Sequence, residues 1–167
     1  GIMKPASLNA AISIRTAYSG PTQPPPYADV VGEDGLQRYK YRGTDPNHYQ
    51  NRALRKAYED GLPIVWFVGV APGLYEPIFP VYVIADDPTR LEFTLAVDEG
   101  QRHLGAADLA ADARAYALRL TKQRLHQPVF RRQVLLAYDG KCSICRLKHV
   151  ELLDAAHILA DGTPHGQ

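Results

Sequence analysis

Leu62-Pro63-Ile64-Val65-Trp66-Phe67-Val68-Gly69-Val70-Ala71-Pro72-Gly73-Leu74-Tyr75 decides how the first hundred residues fold. Ile64 to Val70 is a short apolar run rich in β-branched and aromatic residues, with the turn-forming Ala71-Pro72-Gly73 behind it, so it reads as a strand. Two more strand candidates follow, Ile78 to Ala85 and Leu91 to Val97, separated by the turn Asp86-Asp87-Pro88. The last alternates, with Leu91, Phe93, Leu95 and Val97 on one face. Upstream, Leu36 to Arg42 reads as a strand with Tyr39 and Tyr41 on one face and Arg38, Lys40 and Arg42 on the other. A helix lies between, with Asp45 as N-cap, Pro46 in the first turn, Ala53, Leu54, Ala57 and Tyr58 as its apolar stripe, and Gly61 as its stop. Several short strands with one crossing helix predict an α+β fold built on a small, partly closed β-barrel.

Further from this centre, Ala10 to Tyr18 reads as a strand or a short helix, and Pro21-Thr22-Gln23-Pro24-Pro25-Pro26 as extended chain. Gly1-Ile2 ahead of Met3 reads as the remainder of a cleaved tag. Beyond Asp98 the character changes: Ala106 to His126, rich in Ala, Leu and Arg, reads as one long helix. Pro128 interrupts it and opens a second, Pro128 to Tyr138, ended by Gly140. The expected organisation is a barrel domain over 3–99, a helical basic connector over 100–138, and a separate module over 139–167.

The chain has 167 residues, 46% hydrophobic and 22% charged, values that exclude a disordered, collagen-like or disulfide-scaffold protein. Its longest strongly apolar stretch, Leu62 to Val70, is too short to cross a bilayer, and no N-terminal run has secretory-signal order. These features predict a cytoplasmic protein without a membrane partner. The net charge of +1 hides an asymmetry. Residues 1–99 carry 9 Lys and Arg against 12 Asp and Glu, whereas residues 100–167 carry 10 against 6. Arg114, Arg119, Lys122, Arg124, Arg131 and Arg132 follow one another without an intervening acid. Such a segment suits a polyanion, because each phosphate neutralised releases counterions. It equally suits a solvated helix face.

The two cysteines stand in Lys141-Cys142-Ser143-Ile144-Cys145. Cys-x-x-Cys beside a turn is half of a tetrahedral zinc site, two thiolates reaching one ion from a tight bend. A redox pair of the thioredoxin type would open a helix after a strand, whereas this pair follows a helix and a Gly turn. A pair of ordinary free thiols is the third reading. His149, His157 and His165 are available as further ligands, but their spacing does not match a zinc finger.

Ala137-Tyr138-Asp139-Gly140-Lys141-Cys142-Ser143-Ile144-Cys145, followed by Leu153-Asp154-Ala155-Ala156-His157-Ile158, resembles the opening half of an HNH endonuclease. In that family the Ala-His-Ile segment ends the first strand of a ββα-metal fold, and its histidine deprotonates the attacking water. The resemblance puts that catalytic role on His157, assigns Cys142 and Cys145 to a structural zinc, and implies a divalent metal such as magnesium for catalysis. Imidazole suits the task because it titrates near neutral pH. Ala156 stands where many relatives carry a metal-binding Asp. The family's Asn-Gly-Leu segment, second Cys/His pair and final His do not follow before Gln167. The expectation is therefore a partial HNH module, inactive as it stands and complete in a longer protein.

Tyr39-Lys40-Tyr41-Arg42-Gly43-Thr44-Asp45-Pro46, Asn51-Arg52-Ala53-Leu54 and the opening stretch Leu62 to Tyr75 resemble a divergent SRA-like domain of the PUA-like barrels. Such domains precede HNH modules in modification-dependent (type IV) restriction enzymes of actinobacteria and flip a modified cytosine into an aromatic-walled pocket. The resemblance implies recognition of 5-methylcytosine in double-stranded DNA by base flipping, ahead of phosphodiester hydrolysis, and leaves a homodimer open. A flipped base needs aromatic walls, an acceptor for its amino group and a small niche for its methyl. Tyr27, Tyr41, Trp66 and Tyr75 are the candidate walls, Asp29 and Asp45 the acceptors, Ala71 and Pro72 the niche. Arg42, Arg52 and Arg55 are candidate phosphate contacts, with Arg119, Lys122, Arg124, Arg131 and Arg132 along the duplex. Each has a plainer reading as core packing, helix cap or solvated charge. A reader of another mark, such as a phosphorothioate or a glucosylated base, and a non-enzymatic PUA-like RNA binder are the rival functions.

Overall fold

A computed structural model describes residues 1–20, 31–104 and 111–156. The fold is α+β. Six strands form one curled sheet: β1 (Ile2–Met3), β2 (Ser13–Thr16), β3 (Gln37–Lys40), β4 (Ile64–Ala71), β5 (Leu74–Asp87) and β6 (Glu92–Ala96), in the spatial order β1-β2-β4-β5-β6-β3. Only β2 and β4 run parallel; the other neighbours are antiparallel.

The curl has a local cause. β5 is fourteen residues long, far longer than either neighbour. Its first half pairs with β4, ending at Val81 opposite Ile64, and its second half pairs with β6, starting at Tyr82 opposite Ala96. Bulges between Ile64 and Trp66 and between Val83 and Ala85 bend the shared strand. The result is a half-barrel with a seam between β2 and β3, bridged where the Tyr39 hydroxyl donates to the Arg15 carbonyl at 3.3 Å. The β4–β5 hairpin is tighter than the sequence suggests: Ala71 pairs with Leu74, leaving Pro72-Gly73 as a two-residue turn with Gly73 at φ 73°.

Helix α1 (Tyr49–Glu59) fills the hollow side of the sheet with Ala53, Leu54 and Ala57. They share one core with Ile14, Tyr39, Tyr41, Trp66, Ile78, Val81, Phe93 and Leu95. The helix starts later than its sequence signals indicate. His48 is the N-cap, its ring nitrogen accepting from Gln50 N, while the Asp45 carboxylate accepts from Asn47 N at 2.8 Å in a turn one step earlier. Gly61 closes the helix as expected: its N–H reaches the Tyr58 carbonyl and that of Leu62 reaches Ala57, the reciprocal pair of a Schellman end. Ile2 is also part of this core, 4% exposed and paired with Ile14, although its position ahead of Met3 reads as tag remainder.

The C-terminal arm corrects a second expectation. After the short α2 (Glu99–Arg102), α3 (Ala111–Thr121) runs through a π turn at Lys122–His126 directly into α4 (Gln127–Ala137). Pro128 does not split two helices. It sits in the first turn of α4, and Gln127 N donates five residues back to the Lys122 carbonyl. The wider turn absorbs the missing proline donor without a break.

The arm is docked on the sheet across the boundary expected near residue 100. Leu125 is 6% exposed and belongs to the barrel core. Gly35, at φ 77°, lies so close beneath α3 that a Cβ there would meet Leu118 N at 2.6 Å. Among the described residues no helix is long and apolar enough to cross a membrane.

Candidate nucleic-acid interface

Three features sit on this frame: a basic cavity at the seam, a pair of clefts along the helical arm, and the cysteine turn at its end.

The seam cavity, about 220 Å3, is lined by Arg15, Ala17, Tyr39, Lys40, Tyr41 and Arg42 together with the first two residues. Consecutive residues 39–42 reach it from both faces because β3 is an edge strand. The tyrosines are its floor rather than its walls, being 5% and 2% exposed. Tyr41 lies against Phe93, ring centroids 4.6 Å apart, and its hydroxyl is held by Asp86 and by Arg55 Nη2 at 3.1 Å. Burial and the Asp86 carboxylate push the Tyr41 phenol up to about 12. Lys40 is bound to Glu92 at 2.6 Å, whereas the Arg42 side chain is exposed.

The other pocket candidates do not join them. Trp66 is 2% exposed, edge-on to Tyr39 and donating to Thr16 Oγ1 at 3.0 Å. It is core packing and offers no face to a base. Asp45 is spent in its turn, and Ala71 and Pro72 sit at the hairpin tip. Tyr75 is half-buried with the Arg15 guanidinium 5.5 Å above its ring. Tyr27, Asp29 and His157 lie outside the described residues.

The arginines divide by environment. Arg55 is withdrawn into an ion pair with Asp86 and also donates to the Pro46 carbonyl, so it braces the fold rather than a phosphate. Arg131 is a tether as well: its guanidinium donates to the Val150 and Leu153 carbonyls, both at 2.8 Å, and holds the segment that leads to His157. Arg124 pairs with Asp98 at 2.9 Å across the arm. Arg52 is exposed, and Arg119 is exposed over the Tyr116 ring at 5.4 Å. Lys122, the first residue of the π turn, is exposed and lines the same cleft as Arg119.

Two clefts of about 480 Å3 each run along the arm and share Gln123 and Gln127. The first also has Arg119 and Lys122; the second has Arg132 and lies between α4, Glu76 of β5 and residues 154–156. Both glutamines escape a charge count, which is the signal that picked out the basic residues around them. Four residues apart, they lie on one side of the helical arm, and the π turn stacks Lys122 beneath Gln127.

Helix α4 ends in a second Schellman turn, with Asp139 at φ 55° and Gly140 at φ 62° and the Gly140 N–H on the Leu135 carbonyl. The chain then folds tightly over residues 142–147: Cys142 N donates to the Leu147 carbonyl and Arg146 N to the Cys142 carbonyl. Backbone N–H groups of Cys145 and Ile144, then the Cys145 thiol, pull the Cys142 thiol below its ordinary value. Both cysteines are free. This donor set fits two corners of a zinc tetrahedron, since the ligand required is the thiolate and the turn favours it. Among the described residues no group of three or more His, Cys, Asp or Glu side chains converges.

What these features define is an α+β protein whose curled sheet and docked basic arm end in a Cys-x-x-Cys turn. Compared with family models, with curated proteins and with solved structures, the chain matches none.

Proposed function

We propose that the chain is the DNA-reading part of a modification-dependent HNH restriction endonuclease, an SRA-like (PUA-like) sheet that recognises 5-methylcytosine in duplex DNA by base flipping. The observation that carries this reading is a curled sheet with a cation-lined seam, rigidly joined to a basic arm that ends in the cysteine turn. The duplex lies along the arm, with Arg119, Lys122 and Arg132 on phosphates, and Arg15 and Arg42 hold the strand at the seam. Cys142 and Cys145 hold a structural zinc at the head of the nuclease module. His157 takes the proton of the attacking water as its oxygen bonds to phosphorus and the phosphodiester bond to the leaving oxygen breaks. Magnesium or a similar ion, when bound, supplies charge stabilisation on the phosphate. The described residues gather no donor cluster for it.

Anisotropy titrations with matched short duplexes, unmodified and carrying 5-methylcytosine, a phosphorothioate or a glucosylated base, test the reading. The expected result is a preference of about tenfold or more, at least 1.4 kcal/mol, for the methylated duplex. Equal affinity for methylated and unmodified DNA overturns it. Preference for another mark moves the specificity while keeping the reader, and preference for structured RNA replaces it with a non-enzymatic PUA-like binder.

A further inference from the structure

The convex face of the sheet carries aromatic side chains that neither the core nor the seam uses. Ile14, Trp66 and Ile78 point into the core, so the alternation of the strands turns Ser13, Arg15, Val65, Phe67, Pro77 and Phe79 outward. Phe79 is 62% exposed and Phe67 36%. Arg15 stands opposite Phe67 and Phe67 opposite Pro77, so one row crosses β2, β4 and β5. Tyr75, two residues before Pro77, extends the face and lies half-buried beneath the Arg15 guanidinium. From Tyr75 to Phe79 the strand rises about 13 Å.

Charge decides what this face fits. None of its residues is acidic. Glu76 stands between Tyr75 and Pro77 and so turns the other way, into the cleft with α4. Arg15 is exposed and has no ion pair among the described residues. A second copy packed face to face would bury that guanidinium with no carboxylate to meet it, which is costly. A single strand of nucleic acid brings what the face lacks, flat π-faces for the phenyl rings and a phosphate for the cation. A duplex keeps its base faces covered, so it cannot use the rings in this way. Stacking and a phosphate contact make no use of a 2′-hydroxyl, so deoxyribose suffices.

We propose that the convex face of the sheet is a stacking platform for a single strand of DNA, its bases on Phe79 and Phe67 and a phosphate on Arg15. The platform is separate from the flipped-base reading, since it takes unpaired DNA with or without a modification. The two meet at Arg15, which also lines the seam cavity.

Anisotropy titration of the chain with a labelled oligothymidylate tests the platform. Saturable binding is expected, at least as tight as that of oligouridylate. Phe79→Leu weakens it by about fivefold or more and Phe67→Leu acts in the same direction, whereas Phe79→Trp does not, because a base needs the ring and not merely an apolar surface. Arg15→Gln lowers the slope of log K against log salt by about 0.7, the value of one phosphate on a single strand. Ring protons of Phe67 and Phe79 shift upfield on binding, and those of the buried Phe93 do not. Tyr58→Leu, at an exposed aromatic on α1 across the sheet, serves as the control, and matching thermal midpoints show that each variant folds. Failure of oligothymidylate to bind, tighter binding of oligouridylate, or binding that both leucine substitutions leave intact overturns the proposal. A concentration-dependent dimer that Phe79→Ala dissolves also overturns it and gives the face to a second copy. Equal affinity for methylated and unmodified duplexes overturns the reader and leaves this face standing, so the two failures are distinguishable.

Discussion

Gln101 Nε2 donates to Thr121 Oγ1 at 2.8 Å in a place that neither side chain shares with solvent. Gln101 also accepts from Val97 N at 2.7 Å and donates to the Ala117 carbonyl, and the Thr121 hydroxyl passes the chain on to the Gly35 carbonyl. One glutamine thus ties the end of β6, helix α3 and the turn before β3. Fully satisfied buried networks specify one arrangement of the elements they join. Gln101→Leu leaves the Val97 N–H unpaired and lowers stability by about 1–3 kcal/mol. Urea denaturation measures it, and an unchanged midpoint would mean that α3 docks without this contact.

Gly35→Ala attacks the same junction from beneath. The residue is at φ 77° and its new Cβ would collide with α3 backbone, which cannot yield as a side chain can. The left-handed conformation alone costs about 1–2 kcal/mol in an L-residue. Hydrogen exchange across 111–121 should speed up in this variant while the β4–β5 pairing stays protected.

Tyr41 gives a pH signature at the alkaline end. Its phenol is pushed up to about 12 in the fold and returns to about 10 on unfolding. Between those values the native state holds a proton that the unfolded chain has released, so this contribution is intact below pH 10 and fades towards pH 12. The stability difference between the parent and Tyr41→Phe should be constant up to pH 10 and shrink above it. A difference that stays level to pH 12 would show that burial and the Asp86 carboxylate do not hold the phenol protonated against the pull of Arg55.

Salt dependence separates the arginines. Arg119→Ala should lower the slope of log K against log salt by about 0.9, the loss of one phosphate contact on duplex DNA. Arg131→Ala should leave that slope alone and loosen residues 150–154, read as faster amide exchange there, since its guanidinium is bound to their carbonyls. Equal slope changes in both variants would contradict the assignment of Arg131 as a tether.

The proposed zinc site is tested at the turn after α4. Cys142→Ser and Cys145→Ser should each abolish zinc uptake measured by competition with a chromogenic chelator. In the parent, zinc should protect both thiols from alkylation. Unprotected thiols in the zinc-treated parent would reduce the Cys-x-x-Cys turn to an ordinary pair of thiols.

Local patterns were readable from the residues and non-local pairings were not. The alternation of Leu91 to Val97 and the Gly61 stop predict β6 and the end of α1, because each depends on neighbours in the chain. Nothing near Ser13 indicates a parallel partner at Val65, nor near Gln37 an antiparallel one at Leu95. Trp66 sits in an apolar run that suits a stacking wall and a core equally, and only the packing of Tyr39 and Thr16 around it decides. Gln101, Gln123 and Gln127 carry neither charge nor motif, yet they line the buried junction and both clefts of the arm. Arg131 and Arg132 are adjacent in sequence and look alike there, but one is bound to backbone and the other lacks a partner for Nε.

The π turn at Lys122–His126 works as an offset in a crankshaft. One surplus residue turns everything beyond it by about 100°, the angular step of a helix. Deleting a single residue there would preserve the helical content and the cysteine hook. It would also aim the hook at a different side of the sheet, so the bearing of the cysteine turn relative to the sheet is written in the length of that one turn.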